Sequence, residues 1–155
     1  MQEGGSLVPM IANWPAVIKK GSVSSNLIDA TDFIPTFAEL AGAPLPTNNI
    51  LDGKSFAYQL KGSSGTPRDW IFTELGNDWY VRSSNWKLNR AGNLFDMRNA
   101  PFEEKEVVID ETTKVEKEKL QKILDGLNPA AGYLDNGDGS GRHANKVKVK
   151  KEGKN

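Results

Sequence analysis

The chain has 155 residues, of which 37% are apolar and 26% are charged, and its 20 Lys and Arg side chains balance 20 Asp and Glu. A net charge near zero argues against nucleic acid or an anionic membrane as the main partner, since both attract a surplus of basic residues. The absence of cysteine excludes disulfides, cysteine–zinc sites and a thiol nucleophile. No run approaches the roughly 20 apolar residues of a membrane span.

A short apolar run over residues 8–15 ends in Trp14-Pro15. It is typical of a nearly buried strand, since an edge strand would alternate apolar and polar side chains. Such a strand needs neighbours that the following sequence does not supply, so we expect it to belong to a sheet completed elsewhere. The same segment lacks the basic and apolar regions of a signal peptide, so we expect a soluble chain without an export signal, and the compartment stays open.

The next element predicted is a helix that begins after Asp32 and ends at Gly42. With Asp32 as N-cap, Pro35 falls at the third helical position, where its missing N–H would have no partner in any case. Phe33 and Phe37 recur at helical spacing, and glycine can end a helix in the left-handed region. One short helical turn is expected further on, within residues 51–60.

Beyond that point the pattern changes to that of strands. Four short segments are rich in aromatic and branched residues and are separated by polar breaks: 70–75, 79–82, 86–89 and 93–97. Short strands with such breaks favour an antiparallel meander of four strands.

A second helix is predicted over about residues 114–126. Thr113 and Glu116 form a capping box, and Asn128-Pro129 ends the helix. Its apolar residues keep helical spacing: Leu120, Ile123, Leu124 and Leu127. This apolar face must cover something, and the four-stranded sheet is the obvious candidate. The predicted fold class is therefore α+β.

Five segments between residues 3 and 104 follow one another in a characteristic order. They are Glu3-Gly4-Gly5 with Val8-Pro9 and Trp14-Pro15, then residues 32–44, then Asp52-Gly53-Lys54-Ser55 with Leu60-Lys61-Gly62, then Trp86-Lys87-Leu88, and finally residues 94–101. Their order and spacing resemble the C-terminal part of type I sulfatases of the alkaline phosphatase superfamily. Each segment is weak alone, the set is specific, and the resemblance fades after Glu104.

The resemblance implies how the chain divides. Residues 1–66 would be the end of the catalytic α/β domain, with a strand–helix unit from the edge of its sheet. Residues 67–130 would form the C-terminal subdomain of antiparallel sheet plus helix, and residues 131–155 a polar, flexible tail. Glu3-Gly4-Gly5 would border the active site in an intact sulfatase.

The resemblance also implies an activity, the hydrolysis of sulfate esters. The family uses a formylglycine made from Cys or Ser in a Cys/Ser-x-Pro-x-Arg motif, together with a divalent metal that is usually calcium. It places nearly all of that machinery upstream of Glu3-Gly4-Gly5. We therefore expect the chain to be a structural scaffold that is inactive alone. It should contain no catalytic, cofactor-binding or metal-binding residue and no cofactor. The full-length enzyme is expected to use calcium. The expected partners are the N-terminal sulfatase portion and, for the intact enzyme, sulfated carbohydrate.

Three local patterns could carry chemistry but match weakly. Ser64-Gly65-Thr66-Pro67-Arg68 approximates the nucleophile motif with its proline and arginine at the wrong offsets. His143 has no carboxylate that can be assigned to orient it. Residues 136–141 resemble the opening of a calcium loop, but Val147 stands where the bidentate glutamate belongs.

Two further sets of residues suggest binding rather than catalysis. Four aromatic residues could stack on a sugar, although strand aromatics more often form the core beneath a helix: Trp70, Trp79, Tyr80 and Trp86. The basic run over residues 146–151 is expected to be a solvated tail or a charged edge strand rather than a polyanion site.

Other functions stay open on the sequence alone. One is a non-catalytic module that folds by itself and binds a glycan or a partner chain. Another is part of a phosphate or phosphonate ester hydrolase of the same superfamily. A buried strand that lacks neighbours would also expose an apolar patch, which a homodimer could cover.

Overall fold

An antiparallel meander forms the centre of the computed structural model, which describes residues 2–129. Five strands each bond to the next in chain order: β1 (Ile71–Leu75), β2 (Asp78–Arg82), β3 (Trp86–Asn89), β4 (Leu94–Asp96) and β5 (Lys105–Glu106). The α+β fold class is confirmed, with one strand more than expected. The two exposed residues of β5 have no alternating pattern that could have predicted it.

Three α-helices accompany the sheet: α1 (Phe33–Ala41), α2 (Ala57–Lys61) and α3 (Glu111–Leu127). Short 3-10 turns lie at Glu3–Gly5 and Ala30–Asp32. Helix α1 ends at Gly42 in the left-handed conformation, with φ of 64°, as predicted. Helix α2 supplies the short turn expected within residues 51–60 and ends in the same way at Gly62, with φ of 65°.

The apolar core lies between one face of the sheet and α3. Val81 and Leu88 are completely buried on that face, and Leu94 is almost so. Leu120 and Leu124 of α3 pack against them, as the helical spacing of these leucines predicted. Burying a side chain of this size contributes about 1.5–3 kcal/mol, so this layer stabilises the whole C-terminal half.

Helix α3 begins three residues earlier than predicted, because a different residue caps it. The Asp110 carboxylate accepts hydrogen bonds from the N–H groups of Thr112 and Thr113, at 2.9 and 2.8 Å. The Thr113 hydroxyl in return accepts the N–H of Asp110, at 2.8 Å. Thr113 is therefore the third helical residue of a capping box and not its N-cap.

Residues 8–15 form no strand among the described residues, so the strand expected at the edge of the parent sheet stays a prediction. Val8 is 78% exposed and Ile11 is 95% exposed. A strand needs a hydrogen-bonding neighbour, and within the described residues no strand lies beside this segment. The apolar side chains of this run are therefore without apolar cover among the described residues.

Candidate functional site

A buried ion pair between Asp32 and Arg68 ties the N-terminal half of the described chain together. Arg68 Nε donates to Asp32 Oδ2 at 2.9 Å, and Arg68 Nη2 pairs with Oδ1. The N–H groups of Lys54 and Asp29 donate to the same carboxylate at 2.6 and 2.9 Å. We call this set the Asp32–Arg68 clasp. It joins the start of α1, the Asp52-Gly53-Lys54-Ser55 loop and the segment that leads into β1.

The clasp is shielded from water, because the Arg68 side chain is 7% exposed and that of Asp32 is 2% exposed. Burial alone would raise the pKa of Asp32. The Arg68 hydrogen bond, the two backbone N–H groups and the Arg68 charge outweigh burial, so the pKa lies below its ordinary value of 3.8. The carboxylate is thus ionised at neutral pH and fully occupied in holding three chain segments together.

The weak nucleophile-like pattern, residues 64–68, lies partly in a loop and partly in the clasp. Ser64 and Pro67 lie in an exposed loop after α2. Arg68 turns inward to Asp32 and also donates to the carbonyl oxygens of Asp52 and Trp70, at 3.2 and 3.3 Å. Its guanidinium thus serves the clasp and does not extend towards Ser64 as a reaction partner.

A second buried cation lies on the sheet face that points away from α3. Lys87 Nζ pairs with the Glu104 carboxylate, and the Lys87 side chain is only 1% exposed. The same Nζ lies 5.2 Å from the ring centre of Tyr80 and 4.8 Å from that of Phe95, within the range of cation–π attraction. The Tyr80 hydroxyl bonds to the hydroxyl of Ser6. The N-terminal segment therefore meets this face just after Glu3-Gly4-Gly5.

Arg82 adds a further cation on this face of β2. Burial lowers the pKa of Arg82, and the charge of Glu104 opposes that shift in part. The guanidinium stays protonated at neutral pH, because an arginine side chain does not lose its proton in a protein. Sequence reasoning missed this layer, because alternating charged residues on a strand usually indicate a solvent-facing side.

A cleft of about 580 Å³ opens where the sheet meets the C-terminal end of α3. It is lined by Trp79, Asn89, Arg90, Gln121, Leu124, Asp125, Asn128 and Pro129. The Arg90 guanidinium lies 5.1 Å from the Trp79 ring centre. The backbone N–H of Arg90 donates to the backbone carbonyl of Trp79 at 2.9 Å. Gln121 Nε2 donates to Asp125 Oδ1 at 2.8 Å.

The four aromatic residues that could have stacked on a sugar are divided among these sites. Trp70, Trp79 and Trp86 are partly buried against the core beneath α3. Tyr80 is completely buried on the other face. Of the four, Trp79 also lines the cleft, so it combines a core contact with a surface that a ligand can reach.

The residues between 2 and 129 provide no set of three or more acidic or histidine side chains that could hold a metal ion. His143, the calcium-loop-like residues 136–141 with Val147, and the basic run 146–151 lie outside the described residues. In the described part, no helix has the length and apolar character needed to cross a membrane.

A family match over the described residues shows that the chain is a C-terminal sulfatase domain. The family model described as "N-sulphoglucosamine sulphohydrolase, C-terminal" matches residues 1–129, and the chain belongs to this family. The resemblance drawn from the five segments is thereby confirmed.

Relatives of known name agree with this assignment. The chain is 29% identical to an ulvan-active sulfatase of Formosa agariphila, over 84% of this chain and 34% of the relative. It is 44% identical to human arylsulfatase A over 56% of the chain and 18% of the relative, and 45% identical to human steryl-sulfatase over 40% and 11%. The chain thus spans about a third or less of these curated relatives.

A crystal structure of a protein assigned as a sulfatase from Bacteroides thetaiotaomicron shares the fold. It is 22% identical and superimposes with a TM-score of 0.50, covering 65% of this chain and 24% of that one. At this identity the likeness concerns the fold alone.

Proposed function

We propose that this chain is the non-catalytic C-terminal portion of a sulfuric ester hydrolase, which supports the substrate pocket and is inactive alone. The observation that carries the proposal is the match of residues 1–129 to a C-terminal sulfatase family, over about a third of the ulvan-active relative. Family resemblance assigns the formylglycine and most metal ligands to the sequence upstream of the part that this chain matches.

The buried charges of the described residues favour a structural role. Asp32 is paired with Arg68, and Lys87 is paired with Glu104. An ion pair closed on itself leaves neither a free base nor a free acid for proton transfer. These groups position loops and strands, and that is the contribution expected of a scaffold.

One face of α1 is the surface that we expect the rest of the sulfatase to cover. Ile34 and Phe37 lie three residues apart, hence on one side of the helix, and are 56% and 59% exposed. The other side of α1 is packed, with Pro35 and Thr36 buried. Large apolar side chains exposed together are typical of an interaction surface.

The substrate class and the metal of the whole enzyme are also part of the proposal. The ulvan-active sulfatase carries the name of a polysaccharide, which favours sulfated carbohydrate as the substrate. Calcium, expected from the family resemblance, would be bound by residues upstream of those matched here. The chain itself would contribute rigid support to the pocket and not a chemical step.

A chemical test addresses the absence of the nucleophile. A hydrazide reagent labels the aldehyde of formylglycine, and mass spectrometry locates the adduct. We expect no adduct on the 155-residue chain, while an active sulfatase treated in parallel must be labelled. An adduct on this chain, at Ser64 for example, would overturn the proposal.

A sedimentation experiment tests the face on α1. Without a covering domain, the chain alone should associate with itself at high concentration, and replacing Ile34 and Phe37 by Asp should leave a folded monomer. Replacing Leu75, which lies at the end of β1 and is 75% exposed, by Asp is the control and should leave the self-association unchanged. If the wild-type chain stays monomeric at every concentration, the exposed apolar face of α1 is not an interaction surface.

A further inference from the structure

The hydroxyl of Tyr80 connects the N-terminal segment to the sheet. It bonds to the hydroxyl of Ser6, a residue 74 positions away in the sequence. We call this contact the Tyr80–Ser6 tether. Val81 packs under α3, and successive residues of a strand point to opposite faces of a sheet. The phenol of Tyr80 therefore lies on the face away from α3, where it is completely buried.

The phenol is fixed relative to the sheet. Tyr80 lies on a strand with a neighbour on each side, opposite Thr73 of β1 and Asn89 of β3. The Lys87 ammonium lies 5.2 Å from the ring centre, and the Glu104 carboxylate pairs with that ammonium. The phenol oxygen is therefore held at one place on the sheet face.

The N-terminal segment, in contrast, has no strand beside it to hold it. Within the part of the chain that the structure describes, no hydrogen bond joins residues 7–13 to any other segment. Gly4 and Gly5 precede Ser6 and are exposed, and glycine has more backbone freedom to lose than any other residue. Order in this segment must therefore come from a group outside it, and the Tyr80 hydroxyl is such a group.

The burial of Tyr80 favours the bound position of the segment. A buried hydroxyl that has no partner is costly, so a completely buried phenol needs a partner within the protein. Ser6, which is half-buried, provides it. If the segment moved away, the phenol would lose this bond, and the free energy of that loss holds Ser6 in place.

We infer that Tyr80 is a positioning residue, whose hydroxyl fixes the Glu3–Gly5 turn on the sheet through Ser6. The inference rests on the proposed function, because the upstream sulfatase portion would join the chain at this turn. A turn held by the sheet sets where that portion lies relative to the C-terminal domain. This accuracy matters for a substrate pocket, since a misplacement of about 1 Å can lower a rate about a hundredfold.

The order of the backbone in the 155-residue chain, measured by nitrogen NMR relaxation, tests the tether. In the wild type we expect order parameters of about 0.85 at Gly5, Ser6 and Leu7, the value of rigid backbone. Tyr80→Phe keeps the aromatic ring beside Lys87 and removes only the hydroxyl. The order parameters of the three N-terminal residues should then fall below about 0.6, whereas those of α3 should not change.

Further variants separate the tether from a general effect on stability. Ser6→Ala removes the other hydroxyl and should mobilise the same residues. Its combination with Tyr80→Phe should add nothing, because both substitutions remove the same bond. Ser6→Thr keeps a hydroxyl and should retain the order. Tyr58→Phe is the matched control, since the Tyr58 hydroxyl accepts from Gln59 Nε2 at 3.2 Å and not from the N-terminal segment, so residues 5–7 should stay ordered.

The outcomes that overturn the inference are distinct from those that bear on sulfatase function. Mobile residues 5–7 in the wild type, or unchanged order in Tyr80→Phe, would remove the tether. A loss of order that extends over α3 in Tyr80→Phe would show that Tyr80 stabilises the whole fold and does not position the turn. None of these results concerns formylglycine or sulfate release, so the tether and the proposed function can fail separately.

Discussion

Replacing Arg68 by Met should destabilise the chain more than any single exposed charge substitution. Met keeps part of the aliphatic stem but leaves the Asp32 carboxylate, 2% exposed, without its cation. Removing one partner of a buried ion pair costs about 3–5 kcal/mol, because the remaining charge is desolvated and uncompensated. With about 3–4 °C per kcal/mol for a domain of this size, the melting temperature should fall by about 10–20 °C.

Thermal unfolding, monitored by circular dichroism, measures this loss of stability. An exposed ion pair provides the control. Lys61 Nζ lies 3.5 Å from Glu39 Oε1, and the two side chains are 44% and 48% exposed. Lys61→Met should therefore cost no more than about 1 kcal/mol. If Arg68→Met lowers the melting temperature as little as Lys61→Met does, the clasp does not hold the three segments together, and that reasoning is refuted.

The same pair of proteins gives a pH test. The pKa of Asp32 is lowered in the folded chain relative to its ordinary value of 3.8. The stability that ionised Asp32 contributes is thus fully present above about pH 4 and is lost as the pH falls towards the folded pKa. The difference in unfolding free energy between wild type and Arg68→Met should shrink between pH 6 and pH 3, and a constant or growing difference would contradict the assignment.

Two pairs of substitutions test local packing and the cap of α3. Gly53→Ala would place a Cβ 2.1 Å from the Thr31 carbonyl oxygen, so it should cost about 1–3 kcal/mol by urea denaturation. Gly126→Ala, in α3 with nothing within 4 Å of its Cβ, should instead gain about 0.5–1 kcal/mol. Asp110→Ala should cost about 1 kcal/mol through loss of the α3 cap, whereas Lys114→Ala in the same turn should cost less than half of that. Equal losses of stability in Asp110→Ala and Lys114→Ala would show that Asp110 is not the cap.

The sequence predicted the elements whose causes are local. The helical spacing of Leu120 and Leu124 located α3, and glycine at position 42 marked the end of α1, since each signal depends on residues a few positions apart. The start of α3 was misplaced because Thr113 and Asp110 are both plausible N-caps, and only the backbone conformation decides between them. The fifth strand was missed because a two-residue strand carries no period.

The features that depend on distant residues could not be predicted. Asp32 and Arg68 are 36 residues apart, and nothing between them indicates that they meet. Lys87 occupies a strand position at which a charge usually faces water, yet Tyr80, Phe95 and Glu104 enclose it. The cleft at Trp79 arises where β2 and α3 come together, so only the folded chain brings its two walls to the same place.

The central claim is that the groups that cleave the ester are not in this chain. Its most direct test is the release of sulfate from p-nitrophenyl sulfate by the purified 155-residue chain, with calcium added and with chelator added, beside an intact sulfatase. The account predicts a rate equal to that of buffer in both conditions. Saturable, calcium-dependent release of sulfate by the chain alone would contradict it.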